Sequence, residues 1–324
     1  MLIKAPAKIN LSLRIISKRA DGYHEISSEM QAIRLFDDVG VRVSGENKEP
    51  GLVSLKVKQG DSPPLPLRDI PEGPENLVWR AAELAFNAWR PDAKKNLHAD
   101  IVLKKNIPAA AGLAGGSSDA AAVLLGLAKE LQPKARVEEI AALGARIGAD
   151  IPFCVYSCAQ ANPELGYEGA GLALAEGIGE LISPLPKQQQ SRCAKVLLVK
   201  PDIDVSSKEI YELYDKSPHK QPGPFGSPGN DLEEHSAGLY PVINDVKTKL
   251  MEICNESGAC KSNPRISLTG SGPTVFVYVP ADRAGSFSHP TELNGSEFDE
   301  AIYDLYVRAK KAFPSMFVYL TDPL

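Results

Sequence analysis

Pro108 to Leu131 reads PAAAGLAGGSSDAAAVLLGLAKEL, and this stretch says more about the fold than any other. Its first half is a loop of small residues: Pro108, Ala109, Ala110, Ala111, Gly112, Leu113, Ala114, Gly115 and Gly116. Ser117, Ser118 and Asp119 follow, and these residue types favour a helix N-terminus. Beyond them the sequence is apolar nearly all round, which predicts a helix buried in a domain interior. Missing side chains let a ligand come close to the loop backbone. The N–H groups of such a loop can converge on the oxygens of an anion, and the helix dipole adds favourable potential. One serine suffices as a cap, which leaves the other for a phosphate or Mg²⁺. On glycine content alone, a flexible loop before a core helix is the plain alternative. The pattern GxxxxGK[ST] occurs nowhere, so a P-loop nucleotide site is excluded.

Upstream, residues 7 to 15 alternate. Ile9, Leu11, Leu13 and Ile15 share one face, and Lys8, Asn10, Ser12 and Arg14 share the other. That period predicts a half-buried strand with a polar face. After the Asp21-Gly22 turn a second strand is expected from Tyr23 to about Leu35. A third, carrying Val39, Val41 and Val43, is expected beyond a break at Asp37-Asp38. Another strand is placed at Leu52 to Val57. Residues 76 to 90 read as a helix with Asn76 as a candidate N-cap, and Ile101 to Leu103 as a short strand. Downstream of the quoted stretch, a helix from Val137 to Ile147 is expected to stop at Gly148, just before Ala149-Asp150-Ile151-Pro152-Phe153. The Pro/Gln-rich piece from Pro184 to Gln190 suggests a boundary, dividing the chain into domains 1–188 and 189–324. The second is expected to hold a strand at Lys195 to Val199, a helix at Ser207 to Tyr214, paired strands around Thr269 to Val279 and a last strand near Phe317. Strands and helices alternate without a βαβ rhythm, so the fold class is α+β.

The chain has 324 residues, 43% hydrophobic and 24% charged, with a formal net charge of −5. Two domains of ordinary size fit that length. The acidic balance argues against nucleic acid as the main partner. Five cysteines make no CxxC pair and no zinc set, and their irregular spacing suits a reducing compartment. Lys4 and Lys8 interrupt the N-terminal apolar residues, so neither a signal nor a transit peptide is expected there. The longest apolar run, Ala120 to Ala128, is far short of a membrane span. A soluble cytoplasmic protein with no membrane partner, monomer or homodimer, is expected.

P-x-x-x-G-L-[GA]-G-G-S-S-D-A-A resembles the phosphate-binding motif of the GHMP kinases, in the form used by the diphosphocytidyl-methylerythritol kinases. Ala114 stands where glycine is most common. Two further motifs of that family are present in order: A-P-A-K-I-N-L at Ala5 to Leu11, and S-L-T-G-S-G-P-T at Ser267 to Thr274. The resemblance implies a two-domain GHMP kinase fold with the active site in the cleft between domains. It implies ATP with Mg²⁺, and phosphoryl transfer to the 2-hydroxyl of a cytidine diphosphate conjugate of methylerythritol.

Site residues follow from the same resemblance. G-A-D-I-P-F is similar to the segment whose aspartate is the base, which makes Asp150 the candidate; read by itself, an aspartate after a helix-ending glycine is a solvated loop residue. Lys8 takes the role of the lysine that polarises the hydroxyl and the transferring group. Its place beside Asn10 on a polar strand face supports this independently. Asn10, Tyr23 and His24 are the substrate-side candidates in the first domain, the last two from R-A-D-G-Y-H at Arg19 to His24. V-S-S-K-E-I-Y resembles the segment that supplies Ser207 and an aromatic cover for cytosine, Tyr211. For ATP the resemblance adds Asn76, which reads equally as the N-cap, and Lys105, a basic position near the nucleotide. It specifies no metal ligand.

Overall fold

The computed structural model describes residues 1–45, 53–61, 70–90, 97–186, 193–217, 229–259, 264–280 and 295–324. An eight-stranded sheet is built from β1 (Leu2–Asn10), β2 (Ser12–Lys18), β3 (His24–Ser44), β4 (Val53–Gln59), β5 (His98–Lys105), β6 (Leu172–Glu176), β7 (Leu181–Pro184) and the short β9 (Gly229–Asn230). β3 is its spine, with β1, β2, β5 and β6 all antiparallel to it. Helices α1 (Leu77–Trp89), α2 (Gly115–Leu131), α3 (Val137–Gly144) and α4 (Ile151–Ala161) share one core with this sheet. A second, antiparallel sheet runs in the order β10 (Arg265–Leu268), β11 (Val275–Pro280), β8 (Cys193–Lys200), β12 (Phe317–Thr321). The α+β class is seen directly.

Period-2 alternation explains how the layers stack. On β8, Val196 and Leu198 face the first sheet's Ala7, Ile9, Ile33 and Leu35, while Leu197 and Val199 face the other way. That other side is covered by α7 (Val242–Glu256) and α8 (Gly295–Ala312). The remaining helices are α5 (Ser207–Lys216) and α6 (Glu233–Leu239). β9 pairs with β2 in the first sheet, and Pro323 bridges to Ile33. The chain therefore returns twice to its first sheet. The expected boundary at residue 188 lies outside the described residues. Among the described residues, no helix is long and apolar enough to cross a membrane.

Three expectations are corrected. The Asp37-Asp38 break does not occur, because β3 runs unbroken through it. Asp37 is fully buried, and its carboxylate is held by Lys105 and by the N–H groups of Asn106 and Ile107. An ion contact, and not a turn, is what put a charge into the strand pattern. The helix expected to reach Ile147 ends at Gly144, and a further helix, α4, starts at Ile151. Pro152 suits its first turn, where a missing N–H leaves no bond unmade. The first strand, expected to be half-buried, is buried on its polar face as well: Lys8 and Asn10 are 4% and 2% exposed. The strand is split at Leu11, and a register shift falls between Pro6 and Ala7. Before it, Ile3 and Ala5 enter the helix-side core; after it, Ala7 and Ile9 enter the core between the sheets. The irregularity re-aims the strand. Beyond it, Lys8 lies by the ends from which α2 and α4 start.

Candidate active site

Three distant segments of the chain converge at one point. The Lys8 N–H donates to the Leu113 carbonyl over 3.0 Å. The Asn10 N–H donates to Thr269 Oγ1 at 3.1 Å, and that hydroxyl donates to the Gly112 carbonyl at 3.2 Å. Gly112 has φ +71°, and a Cβ there would lie 2.5 Å from the Thr269 carbonyl oxygen. Only glycine fits so close an approach in that conformation. The three motifs thus form one backbone-knit unit.

A cavity of about 420 Å³ opens above this unit. Every residue from Pro108 to Ser117 lines it, together with Asn76, Lys105, Lys8, Asp150 and Ser207. Gly270 and Ser271 of the late glycine motif line it too, and no site role was expected of them. A larger hollow, about 550 Å³, lies by Arg14, Asn230 and Glu233. It contains neither Lys8, Asp150 nor the loop, and Arg14 and Glu233 are engaged by Asp231 and Lys247. The smaller cavity is the candidate site.

Its floor is the start of α2, which begins at Gly115, two residues earlier than Ser117. The N-cap is Ala114, with no side-chain cap bond. First-turn N–H groups, which have no partner inside a helix, are therefore presented to the cavity. The two serines divide. Ser117 lines the cavity, whereas Ser118 is fully buried with its Oγ 3.6 Å from Cys158 Sγ. Burial pushes the Cys158 thiol up to about 12, against the pull of the Ser118 contact. Both groups belong to the core, and the structure does not bring Ser118 to the site. Ala114 sits at φ 55°, in the left-handed region. Its methyl is accommodated, at a cost of about 1–2 kcal/mol relative to an unstrained backbone. Ala114→Gly is accordingly expected to raise the unfolding free energy by a net ~1 kcal/mol once glycine's extra entropy is set against the relief. Urea melts of the two proteins measure it.

Lys8 Nζ donates to Asn10 Oδ1 at 2.7 Å and stands 3.8 Å from Asp150 Oδ2. Asn10 is fixed in turn by donating to Ser28 Oγ at 2.8 Å. Asp150 occupies the N-cap position of α4 but makes no capping bond, so its carboxylate remains available. With 36% of that side chain exposed, water screens the pair, and its meaning is geometric more than energetic. Asn76 caps α1, accepting from Val78 N at 2.9 Å and donating to Pro71 O at 2.7 Å, while also lining the cavity. The N-cap reading is seen directly, and the residue's place at the cavity leaves it within reach of a ligand there. Lys105 is different: its ammonium is held by two buried carboxylates, Asp37 and Asp119, and neither was singled out as a site residue from the sequence. Among the described residues no group of three or more His, Cys, Asp or Glu could hold a metal.

On the other side of Asp150, His24 and Tyr211 stack face to face, with centroids 4.8 Å apart and planes at 26°. Burial, with the Asp150 carboxylate adding to it, pushes the Tyr211 phenol up to about 12. Asp215 meets His24 Nε2 at 2.7 Å and Lys18 Nζ at 2.5 Å. Partial burial alone would raise the Asp215 carboxyl, but Lys18 and His24 hold it below the usual range. Asp215 was not legible as a partner, because it comes from α5, 191 residues away in sequence. Tyr23 stands apart, 59% exposed beside the turn, and the ring facing Tyr211 is that of His24. Ser207 Oγ lies 2.6 Å from Ser271 Oγ, joining α5 to the late glycine motif.

The chain is similar to several known proteins. The GHMP kinases N terminal domain family matches residues 76–158, which span the loop, α2 and Asp150. The 4-diphosphocytidyl-2-C-methyl-D-erythritol kinase of Clostridium acetobutylicum is 36% identical over 295 residues, covering 86% of this chain and 90% of its own. The enzyme of the same name from Geotalea daltonii is 34% identical, with 84% and 87% covered. A crystal structure of 4-(cytidine 5'-diphospho)-2C-methyl-D-erythritol kinase superposes with a TM-score of 0.65 at 24% identity, over 99% of both chains. Homoserine kinase from Cytophaga hutchinsonii shares the fold at a TM-score of 0.59 and 17% identity, over 100% of this chain and 94% of that one. By its sequence over most of its length, this chain belongs to the 4-diphosphocytidyl-2-C-methyl-D-erythritol kinase family of GHMP kinases.

Proposed function

We propose that this enzyme transfers the γ-phosphoryl group of ATP to the 2-hydroxyl of 4-(cytidine 5′-diphospho)-2-C-methyl-D-erythritol, on the route to isoprenoid precursors. The observation that carries the reading is the Lys8–Asp150 pair, 3.8 Å apart, at a cavity floored by the free N-terminus of α2. Phosphoryl transfer demands mainly positioning and charge stabilisation. The α2 N–H groups and loop backbone would hold the ATP phosphates, and Asn76 would sit near the base. As the substrate oxygen bonds to the γ-phosphorus and the bond to the β,γ-bridging oxygen breaks, the hydroxyl proton passes to Asp150. Lys8 offsets the negative charge on the oxygen and on the transferring group. Asn10 holds that ammonium in place.

Mg²⁺ would enter on the ATP and neutralise phosphate charge. A site with few protein donors suits it, because Mg²⁺ keeps waters and shares substrate phosphate oxygens. The Ser117 hydroxyl, which lines the cavity, would be within reach to take part. Buried free thiols at Cys154 and Cys158 suit the reducing cytoplasm, where ATP is available.

For the nucleobase, the His24–Tyr211 stack offers an aromatic platform, with His24 oriented by Asp215. The exposed Tyr23 ring is free to close over a pyrimidine. The purified protein with ATP and Mg²⁺ would be offered this substrate, methylerythritol phosphate, mevalonate, homoserine and galactose. Turnover is expected with the first alone. Base stacking on an aromatic ring is worth ~1–3 kcal/mol, and polar groups left unpaired by a ligand lacking cytosine widen the margin. Comparable turnover of homoserine or mevalonate would defeat the substrate assignment and keep only the superfamily reaction.

A further inference from the structure

Beneath the loop, Asp37 on β3, Lys105 at the end of β5 and Asp119 in α2 form a buried ion triad. Lys105 Nζ donates to Asp37 Oδ2 and, over 2.7 Å, to Asp119 Oδ2. The side chains of Lys105, Asp37 and Asp119 are only 8%, 0% and 2% exposed. Asp37 Oδ1 accepts from the N–H groups of Asn106 and Ile107 at 2.5 and 2.8 Å, just before the loop. Asp119 lies just after it. Lys105 Nζ also lies 3.2 Å from where a Cβ of Gly115 would stand, so the ammonium sits directly against the first residue of α2. One cation thus grips the loop at its entry, through Asp37, and at its exit, through Asp119.

We propose that Asp37, Lys105 and Asp119 are the positioning residues of the phosphate loop, and that Lys105 serves ATP through the two carboxylates and not by touching the nucleotide. The inference rests on the kinase reading above. An ammonium already bonded to two buried carboxylates has little charge left to offer a phosphate. Burial would depress the Lys105 ammonium, but Asp119 and Asp37 outweigh it and hold it above its ordinary range. Burial, reinforced by Asp37, raises Asp119 well above the carboxylate range, and its Oδ1 has no hydrogen-bond partner. Lys105 is thus the cation that holds Asp119 in the cluster. Breaking a buried ion contact on one side leaves the others uncompensated, and here the strain falls on the loop.

Titration of a fluorescent ATP analogue, without the cytidyl substrate, separates the two roles of Lys105. Asp119→Ala is expected to weaken binding roughly tenfold, and Asp119→Asn, which keeps an acceptor for Lys105, to stay within roughly threefold of wild type. The KM for the cytidyl substrate should change by less than about twofold in both, because that ligand does not depend on α2's first turn. Lys105→Met should also weaken the analogue, yet add little in the Asp119→Ala background, since contacts in one network are not additive. Unchanged or tighter binding by Asp119→Ala would overturn the proposal, because a freed Lys105 then reaches the phosphates itself. Parallel rises in both KM values, tracking the melting temperature, would overturn it too, as the mark of a general fold element. If Lys105→Met does not fold, the Asp119→Ala and Asp119→Asn pair decides alone. A wild-type protein that failed to bind the analogue would instead defeat the kinase reading.

Discussion

Asp150→Asn is expected to fold, to bind ATP within about twofold of wild type, and to lose kcat by ~10²-fold or more, the usual scale for removing a general base. The amide has nearly the carboxylate's shape, and Asp150 makes no capping bond whose loss would loosen α4. What disappears is the proposed acceptor for the hydroxyl proton and the charge opposite Lys8, 3.8 Å away. Single-turnover measurements at saturating ATP and cytidyl substrate report this step directly. A variant with most of its kcat intact would show that the proton leaves by another route, and that Lys8 and the α2 N-terminus supply the catalysis. The ATP affinity matters as much as the rate, because a rise in ATP Kd would mean that Asp150 shapes the loop.

The second large effect is expected at Gly112. In Gly112→Val a Cβ would meet the Thr269 carbonyl oxygen at 2.5 Å and that of Gly272 at 2.9 Å, both fixed backbone atoms, with φ at +71°. The left-handed conformation costs about 1–2 kcal/mol for a residue with a side chain. Overpacking adds about 1–3 kcal/mol. A destabilisation of ~3 kcal/mol is therefore expected, together with loss of nucleotide binding, since Gly112 is where the loop rests on the late glycine motif. Gly116→Ala is the comparison: its Cβ would meet nothing nearer than Leu77 Cδ1 at 3.9 Å. Denaturation midpoints for the two variants test this, and equal midpoints would show that the Gly112 contact is not a structural joint.

Much of the site was legible because it is local. The loop from Pro108 to Ser117 and the N-cap Asn76 are short-range patterns, and the structure gathers them around one cavity with Lys8 and Asp150. The helix at 76 to 90 was legible for the same reason: its apolar spacing and its capping residue act within a few turns. Where the reading failed, a distant partner had changed what a residue does. Asp37 looked like the end of a strand because its partner Lys105 is 68 positions away. Ser118 looked like a ligand for phosphate because nothing nearby in sequence announces that Cys158 packs against it. His24 gave no sign in the sequence of the ring it stacks on, because Tyr211 comes from a distant helix.

The amino-acid sequence by itself determined the family, and its motifs singled out the small-residue loop, Lys8 and Asp150 as the residues to watch. These rest on residue types at fixed short spacings, which survive whatever surrounds them. Only the tertiary structure decided that Lys8 stands beside Asp150, that Lys105 is bound to Asp37 and Asp119, and that Asp215 meets His24. Those facts depend on which charged groups end up together in a dry interior. There an unpartnered charge is costly, and long-range packing, not local pattern, chooses the partner.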